Sequence, residues 1–122
     1  ATGVLIIEDE PLIAMQIETL VTDLGHAVVA TAATRAQAVA AFERTRPGLV
    51  LADIQLADQS SGIDAVEDIL GMAQVPVVFI TAYPERLLTG ERPEPTWLVT
   101  KPFREDTVRV AISQALFFSA PA

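Results

Sequence analysis

The sequence predicts a single α/β domain with a doubly wound, five-stranded parallel sheet. Short apolar runs alternate with helix-type periodicity five times along the 122 residues. Three of these runs, at about 4–7, 49–52 and 77–80, are apolar at every position, as expected of strands buried between two helix layers. Because crossovers between parallel strands are right-handed, we expect the strand order 2-1-3-4-5.

Particular residues indicate where the predicted helices begin, end or are interrupted. Pro11 suits the start of the first helix and Gly25 its end, while Thr34 suits the cap of the second helix. Gly90, Pro93 and Pro95 interrupt the segment before the last strand, so we expect a short or irregular fourth helix there. The expected strands are 4–7, 27–31, 49–53, 75–80 and 97–101, and the other helices are 11–24, 35–44, 62–72 and 105–118.

The composition narrows the class of protein. The chain is 51% hydrophobic and 20% charged, which is typical of a globular domain, and its net charge of −8 opposes binding to nucleic acid or to an anionic membrane. It has no cysteine, so disulfides and thiolate metal sites are excluded. The chain has no signal-peptide pattern and no membrane-length apolar run, so we expect a cytoplasmic protein. Since it begins without Met, we expect a domain cut from a longer protein.

Polar side chains follow four of the predicted strands, at the point where each strand ends. These are the acidic pair Glu8-Asp9, Asp53, Thr81 and Lys101, the only lysine of the chain. The carboxyl ends of parallel strands lie along one edge of a sheet. We therefore expect acids, a hydroxyl and an ammonium group to meet in one crevice.

This set of groups favours transfer of a phosphoryl group onto an aspartate. Clustered acids repel each other unless a cation lies between them, and Mg²⁺ prefers carboxylate oxygens. We expect Asp9 and Asp53 to be direct ligands, Glu8 to act directly or through a water, and Glu10 to help the start of the first helix. Asp53 is the expected nucleophile, with Lys101 and Thr81 binding the phosphoryl oxygens.

The same residues resemble the receiver domain of two-component response regulators. The pair Glu8-Asp9, Asp53, the pair Thr81-Ala82 and the triplet Lys101-Pro102-Phe103 match its pattern in order and spacing over the whole chain. The resemblance implies a flavodoxin-like fold and transfer from a phosphohistidine on a sensor histidine kinase or phosphotransfer protein, with Mg²⁺. It also implies that the backbone carbonyl of Gln55 is a metal ligand and that the Lys101-Pro102 bond is cis.

A narrower resemblance concerns residues 53–58 and 79–96, which are similar to PhyR-type regulators of the alphaproteobacterial general stress response. In those proteins a C-terminal receiver follows a sigma-factor-like domain, and phosphorylation frees that domain to bind the anti-sigma factor NepR. The resemblance implies that residues 1–122 are the receiver alone. It also implies that the anti-sigma factor is an indirect partner.

One position departs from the family pattern. Many receivers carry an aromatic residue three positions before the lysine, and this chain has Leu98 there, with Trp97 one residue earlier. Tyr83, two residues after Thr81, is a candidate to replace that aromatic residue or to restrict water access. Together with Ala82 and Pro102 it forms the set of candidate modulators.

Three alternatives stay open. A phosphatase of the haloacid dehalogenase type needs a second aspartate two residues after its nucleophile, where this chain has Gln55. A flavodoxin-like cofactor binder needs a hydroxyl-rich phosphate loop after the first strand, where this chain is acidic. The third alternative is a module that only binds partners. His26, the only histidine, is expected to be a turn residue, so the phosphoryl donor must be external and the chain is not expected to be a turnover enzyme.

Overall fold

The computed structural model describes residues 2–56, 61–82 and 96–119 of the chain. Its strands and helices alternate as expected. In order, they are β1 (Gly3–Ile7), α1 (Pro11–Asp23), β2 (Ala27–Ala32), α2 (Arg35–Thr45), β3 (Leu49–Ala52), α3 (Gly62–Leu70), β4 (Val77–Thr81), β5 (Trp97–Thr100) and α4 (Glu105–Ser119). None of the helices in these three ranges is both long enough and apolar enough to cross a membrane.

The sheet has the predicted topology. Its five strands are ordered β2-β1-β3-β4-β5, and each neighbouring pair is parallel. The strand order therefore reverses between β1 and β3, where Ile7 lies beside Ala52. Ligands of doubly wound sheets bind outside the carboxyl ends of the strands at this point.

Alternate side chains of the strands supply two separate apolar layers. Leu5 and Ile7 of β1 face one layer with α2 and α3, whereas Val4 and Ile6 face the other with α1 and α4. This is the period of two that a pleated strand imposes on its side chains. It explains why the central strands are apolar at every position, as the sequence indicated.

The helix signals are confirmed. Pro11 occupies the first position of α1, and Gly25 follows that helix with φ of 89°, a left-handed conformation that glycine adopts without strain. The hydroxyl oxygen of Thr34 accepts a hydrogen bond from the N–H of Gln37 at 3.1 Å and so caps α2. The predicted face of the last helix packs against the sheet through Val108, Ala111, Ile112, Ala115 and Leu116.

Several predicted ends were wrong by one or two residues. β4 begins at Val77 rather than at 75, since Pro76 has no N–H and takes part only as an acceptor, through its carbonyl, from the N–H of Val50. α3 ends at Leu70, with Gly71 as its C-cap. β3 and β5 stop just before Asp53 and Lys101. The short fourth helix, expected at 84–88, lies outside the described residues.

Candidate functional site

The acidic residues lie where two neighbouring strands end. Glu8 and Asp9 follow β1, and Asp53 follows β3, which pairs directly with β1. The N–H of Asp53 donates to the carbonyl of Ile7, and the N–H of Glu8 donates to the carbonyl of Ala32, both at 2.8 Å. Strand pairing thus continues to the acidic residues themselves and fixes their backbone.

Lys101 reaches this acidic group from the other end of the chain. Its Nζ donates to Glu8 Oε1 at 2.7 Å and to Asp53 Oδ2 at 3.0 Å. The two acids are nearly enclosed, with 5% and 7% of their surface exposed. The backbone N–H of Lys101 donates to the carbonyl of Thr81 at 2.8 Å, and the Lys101-Pro102 peptide bond is cis. One ammonium group therefore bridges two carboxylates from different strands.

Charge and burial change the acidity of these groups. Burial raises the pKa of Glu8 to about 7, opposed by the hydrogen bond from Lys101 and reinforced by the negative charge of Asp53. Burial alone would lower the pKa of Lys101, but the hydrogen bonds to Glu8 and Asp53 outweigh it and the pKa is raised. The site therefore carries a permanent cation beside a carboxyl group that titrates near neutrality.

The acids also fit a hard divalent cation. Glu8, Asp9 and Asp53 each offer a carboxylate oxygen, and these oxygens lie within 4.8 Å of one another. A cavity of about 260 Å³ opens beside them, lined by Asp9, Glu10, Asp53, Gln55, Leu56, Ala82 and Lys101. An all-oxygen donor set with room for water is the environment that Mg²⁺ prefers. The residues expected to hold the ion are thus together, with Gln55 on the wall of the same cavity.

Of the remaining predicted residues, Ala82 also lines this cavity. Thr81 is fully buried at the end of β4, and the exposed Ala82 follows it. Pro102 lines a neighbouring cavity of about 420 Å³, together with Ile13, Gln16, Ala82, Lys101 and Phe103. Tyr83 lies outside the described residues.

Trp97 does not take the position of the missing aromatic residue. It pairs with Val78 near the start of β4, whereas Thr81 pairs with Thr100 at the far end. Its ring stacks near that of Phe118 of α4, with centroids 6.5 Å apart. Leu98 packs into the opposite apolar layer, with α2 and α3. Trp97 and Leu98 therefore face opposite layers of the sheet.

Glu10 lies at the start of α1 and also borders the acidic cavity. It is the N-cap residue of α1, and its backbone carbonyl accepts from the N–H of Ala14. Its side chain makes no capping hydrogen bond, so its expected help to the helix start is an effect of charge alone. The N–H of Glu10 donates to Glu8 Oε2 at 3.2 Å, and Glu10 lines the acidic cavity.

Gly62 is a site residue that the sequence reasoning missed. It was expected only as the first residue of the third helix, which it is, but its Cα also packs against the backbone of Asp53. Ser61 before it caps the helix by accepting from the N–H of Ile63 at 3.1 Å. The available signal was a glycine, which has no Cβ, a few residues after Asp53 in the sequence.

The comparisons with known proteins agree with this geometry. The family model of the response regulator receiver domain matches residues 4–113. The phyllosphere-induced regulator PhyR of Methylorubrum extorquens is 64% identical over 123 residues, which span 100% of this chain and 46% of that protein. The chain thus spans about half the length of that curated relative.

Solved structures give the same result. The receiver domain of Erythrobacter litoralis PhyR, determined by solution NMR, is 72% identical, with a TM-score of 0.93 over 100% of this chain and 95% of that one. The anti-anti-sigma factor PhyR of Bartonella quintana, crystallised with the anti-sigma factor NepR, is 65% identical, with a TM-score of 0.66 over 98% of this chain and 48% of that one. Both levels of the resemblance stated from the sequence are confirmed.

Proposed function

Because the chain belongs to the response regulator receiver domain family, we propose that it accepts a phosphoryl group on Asp53 in two-component signalling. The donor is a phosphohistidine on a sensor histidine kinase or a phosphotransfer protein. The observation that carries the proposal is the position of Lys101, whose Nζ lies 2.7 Å from Glu8 and 3.0 Å from Asp53. Lys101 is itself mostly buried, with 11% of its side chain exposed, so its positive charge is directed at these two acids rather than at solvent.

The chemistry follows from these contacts. One carboxylate oxygen of Asp53 forms a bond to phosphorus while the nitrogen–phosphorus bond of the donor breaks, and the departing imidazole nitrogen keeps the electron pair. Mg²⁺ held by Glu8, Asp9, Asp53 and the carbonyl of Gln55 would supply positive charge to the phosphoryl oxygens.

Lys101 and Thr81 would position the phosphoryl group and neutralise its charge. Lys101 already contacts Asp53, so its ammonium group is placed to donate to a phosphoryl oxygen on that carboxylate. Thr81 lies at the end of the adjacent strand, and its hydroxyl is assigned to another oxygen. Phosphoryl transfer depends mainly on such positioning and charge neutralisation. No acid stands two residues after Asp53, so only slow hydrolysis of its own acyl phosphate is expected rather than turnover.

The output is assigned from the PhyR relatives. We infer that residues 1–122 are the receiver of a longer cytoplasmic protein. In that protein, the receiver follows a sigma-factor-like domain and controls it. Two facts support this: the chain matches about half of PhyR, and the Bartonella PhyR was crystallised with an anti-sigma factor. Phosphorylation of Asp53 would then release the sigma-like domain to bind an anti-sigma factor in the general stress response. The receiver itself contacts neither nucleic acid nor membrane in this scheme.

Intact-mass measurement tests the proposal. The protein is incubated with acetyl phosphate, a small donor, with Mg²⁺ or with a chelator. One added phosphoryl group is expected with Mg²⁺, and none with the chelator or in the variant Asp53→Asn. The variant Asp64→Asn, an exposed acid on α3, is the matched control and should be phosphorylated normally.

The same incubation separates the alternatives. Release of many phosphates per protein molecule would indicate a phosphatase of the haloacid dehalogenase type. A protein that binds no Mg²⁺ and gains no mass would indicate a module that only binds partners. Either result would overturn the proposal.

A further inference from the structure

The start of α3 lies unusually close to the backbone of the acceptor aspartate. A Cβ placed on Gly62 would lie 1.7 Å from the carbonyl oxygen of Asp53, 2.7 Å from its carbonyl carbon and 3.1 Å from Ile54 Cα. The nearest atom to a Cβ on Gly71, at the other end of the same helix, is 3.3 Å away. Among the five described glycines, Gly62 is the one where the obstacle is a rigid backbone well inside contact distance.

Several bonds hold this approach in place. The N–H of Gly62 donates to the carbonyl of Ile54, and Gln55 and Ser61 form an antiparallel bridge. On the other side, the N–H of Ile54 donates to Asp53 Oδ1 at 2.7 Å. The loop that leaves the acceptor thus returns to it. The peptide unit after Asp53 is held between its own carboxylate and the first turn of α3.

We propose that Gly62 is a positioning residue for the acceptor site. The inference rests on the proposed role of Asp53, and it assigns to Gly62 the direction in which that carboxylate points. A side chain at position 62 must push α3 away from the Asp53–Ile54 peptide. Because the carboxylate is bonded to that peptide through Ile54, it would turn away from Lys101 and Asp9.

The displacement of the Asp53–Ile54 peptide would also change the proposed Mg²⁺ site. Gln55 follows the displaced peptide directly, and its bridge to Ser61 lies on the displaced loop. A carboxylate and a carbonyl on the cavity wall would therefore move together. Displacements of about 1 Å at a reacting group reduce rates by up to about a hundredfold.

The test compares Gly62→Ala with Ile69→Ala, both at a temperature where each variant is folded. Ile69 is fully buried near the end of α3, so its truncation destabilises the same helix without touching Asp53. We expect the Mg²⁺ affinity of Gly62→Ala, measured by calorimetry, and its phosphorylation rate by acetyl phosphate each to fall about tenfold or more. Both should stay unchanged in Ile69→Ala. Equal behaviour of the two variants would overturn the inference.

A second variant tests the positioning role of Gly62 if Gly62→Ala does not fold. Ser61→Ala removes the cap of α3 without adding a clash, so it loosens the same contact. It should weaken Mg²⁺ binding in the same direction but less, and an unchanged affinity would overturn the inference. Failure of the wild-type protein to gain a phosphoryl group would count against the proposed function, whereas the Mg²⁺ titrations would still decide the role of Gly62.

Discussion

At the scale of single residues, the site is a balance between one ammonium group and three carboxylates. Lys101 contacts Glu8 and Asp53, and Asp9 completes the acidic group. Removing one partner of a nearly buried ion pair is costly because the other partner keeps an uncompensated charge. The lysine should therefore stabilise the metal-free protein as well as serve the chemistry.

The first prediction concerns that lysine. Lys101→Met should lower the free energy of unfolding of the metal-free protein by about 3 kcal/mol at pH 8, because two carboxylates then face each other without a cation. Urea unfolding monitored by circular dichroism measures the change. Arg104→Met, an exposed cation close by in the chain, should change stability by less than about 0.5 kcal/mol. Equal stabilities of Lys101→Met and the wild type would contradict the charge balance.

The second prediction concerns the dependence of Mg²⁺ binding on pH. Burial raises the pKa of Glu8 from its ordinary 4.5 to about 7 in the metal-free fold. The folded state then holds more protons than the unfolded state between these values. The contribution of protonated Glu8 to the free energy of unfolding is therefore fully present below about pH 4.5, and it is lost as the pH rises through about 7.

Mg²⁺ requires the ionised form, so its affinity should rise about tenfold from pH 6 to pH 8. Calorimetric titration at the two pH values measures this rise. In Glu8→Gln the position cannot titrate, so most of the rise should disappear. An equally steep rise in Glu8→Gln would show that another group is responsible.

At the scale of elements, the sequence predicted which strands are buried and in which order they pair. Continuous apolar runs indicated burial on both faces, and the alternation of Leu5 and Ile6 between two layers is its direct consequence. Strand and helix ends were less predictable. For example, β4 begins only at Val77, after Pro76, which has no N–H to donate to a neighbouring strand.

The parts of the site that the sequence did not predict depend on tertiary contacts. Residues at the ends of strands could be placed from the sequence, because parallel strands end at one edge of the sheet. The proximity of Glu8, Asp53 and Lys101 was predictable for this reason. The contact of Gly62 with Asp53 joins two residues that are not neighbours in the sequence, and no local pattern specifies it. The hydrogen bond of Glu10 to Glu8 similarly depends on which way one peptide unit faces.

The third prediction concerns the cap of α2. Thr34→Ala removes the acceptor for the N–H of Gln37 and should lower the free energy of unfolding by about 1 kcal/mol. The matched control is Thr22→Ala, because that hydroxyl only donates to a carbonyl within α1 and is exposed. Its effect should be below about 0.5 kcal/mol. Thermal unfolding of the two variants measures the difference, and equal losses would argue against the cap.

At the scale of the whole molecule, the acidic edge connects elements from both halves of the chain. Glu8 and Asp53 follow the neighbouring inner strands β1 and β3, whereas Lys101 follows the outer strand β5. A ligand that binds this edge binds the folded chain and not the unfolded one. Its binding free energy is therefore added to the stability of the whole domain.

The fourth prediction follows from this linkage. Mg²⁺ at ten times its dissociation constant should raise the free energy of unfolding by about 1.4 kcal/mol. Urea unfolding with Mg²⁺ or a chelator measures the increase. Asp9→Asn should lose most of it, while Glu43→Gln, an exposed acid on α2, should keep it. An increase that survives in Asp9→Asn would place the ion elsewhere.

Chemical mapping of the modified residue tests the phosphoacceptor role of Asp53 most directly. The protein treated with acetyl phosphate and Mg²⁺ is reduced with borohydride, which converts an acyl phosphate to an alcohol, and its peptides are analysed by tandem mass spectrometry. We expect homoserine at position 53 when Mg²⁺ is present, and no homoserine with a chelator. Conversion at Glu8 or Asp9 instead of position 53, or conversion that does not require Mg²⁺, would contradict that role.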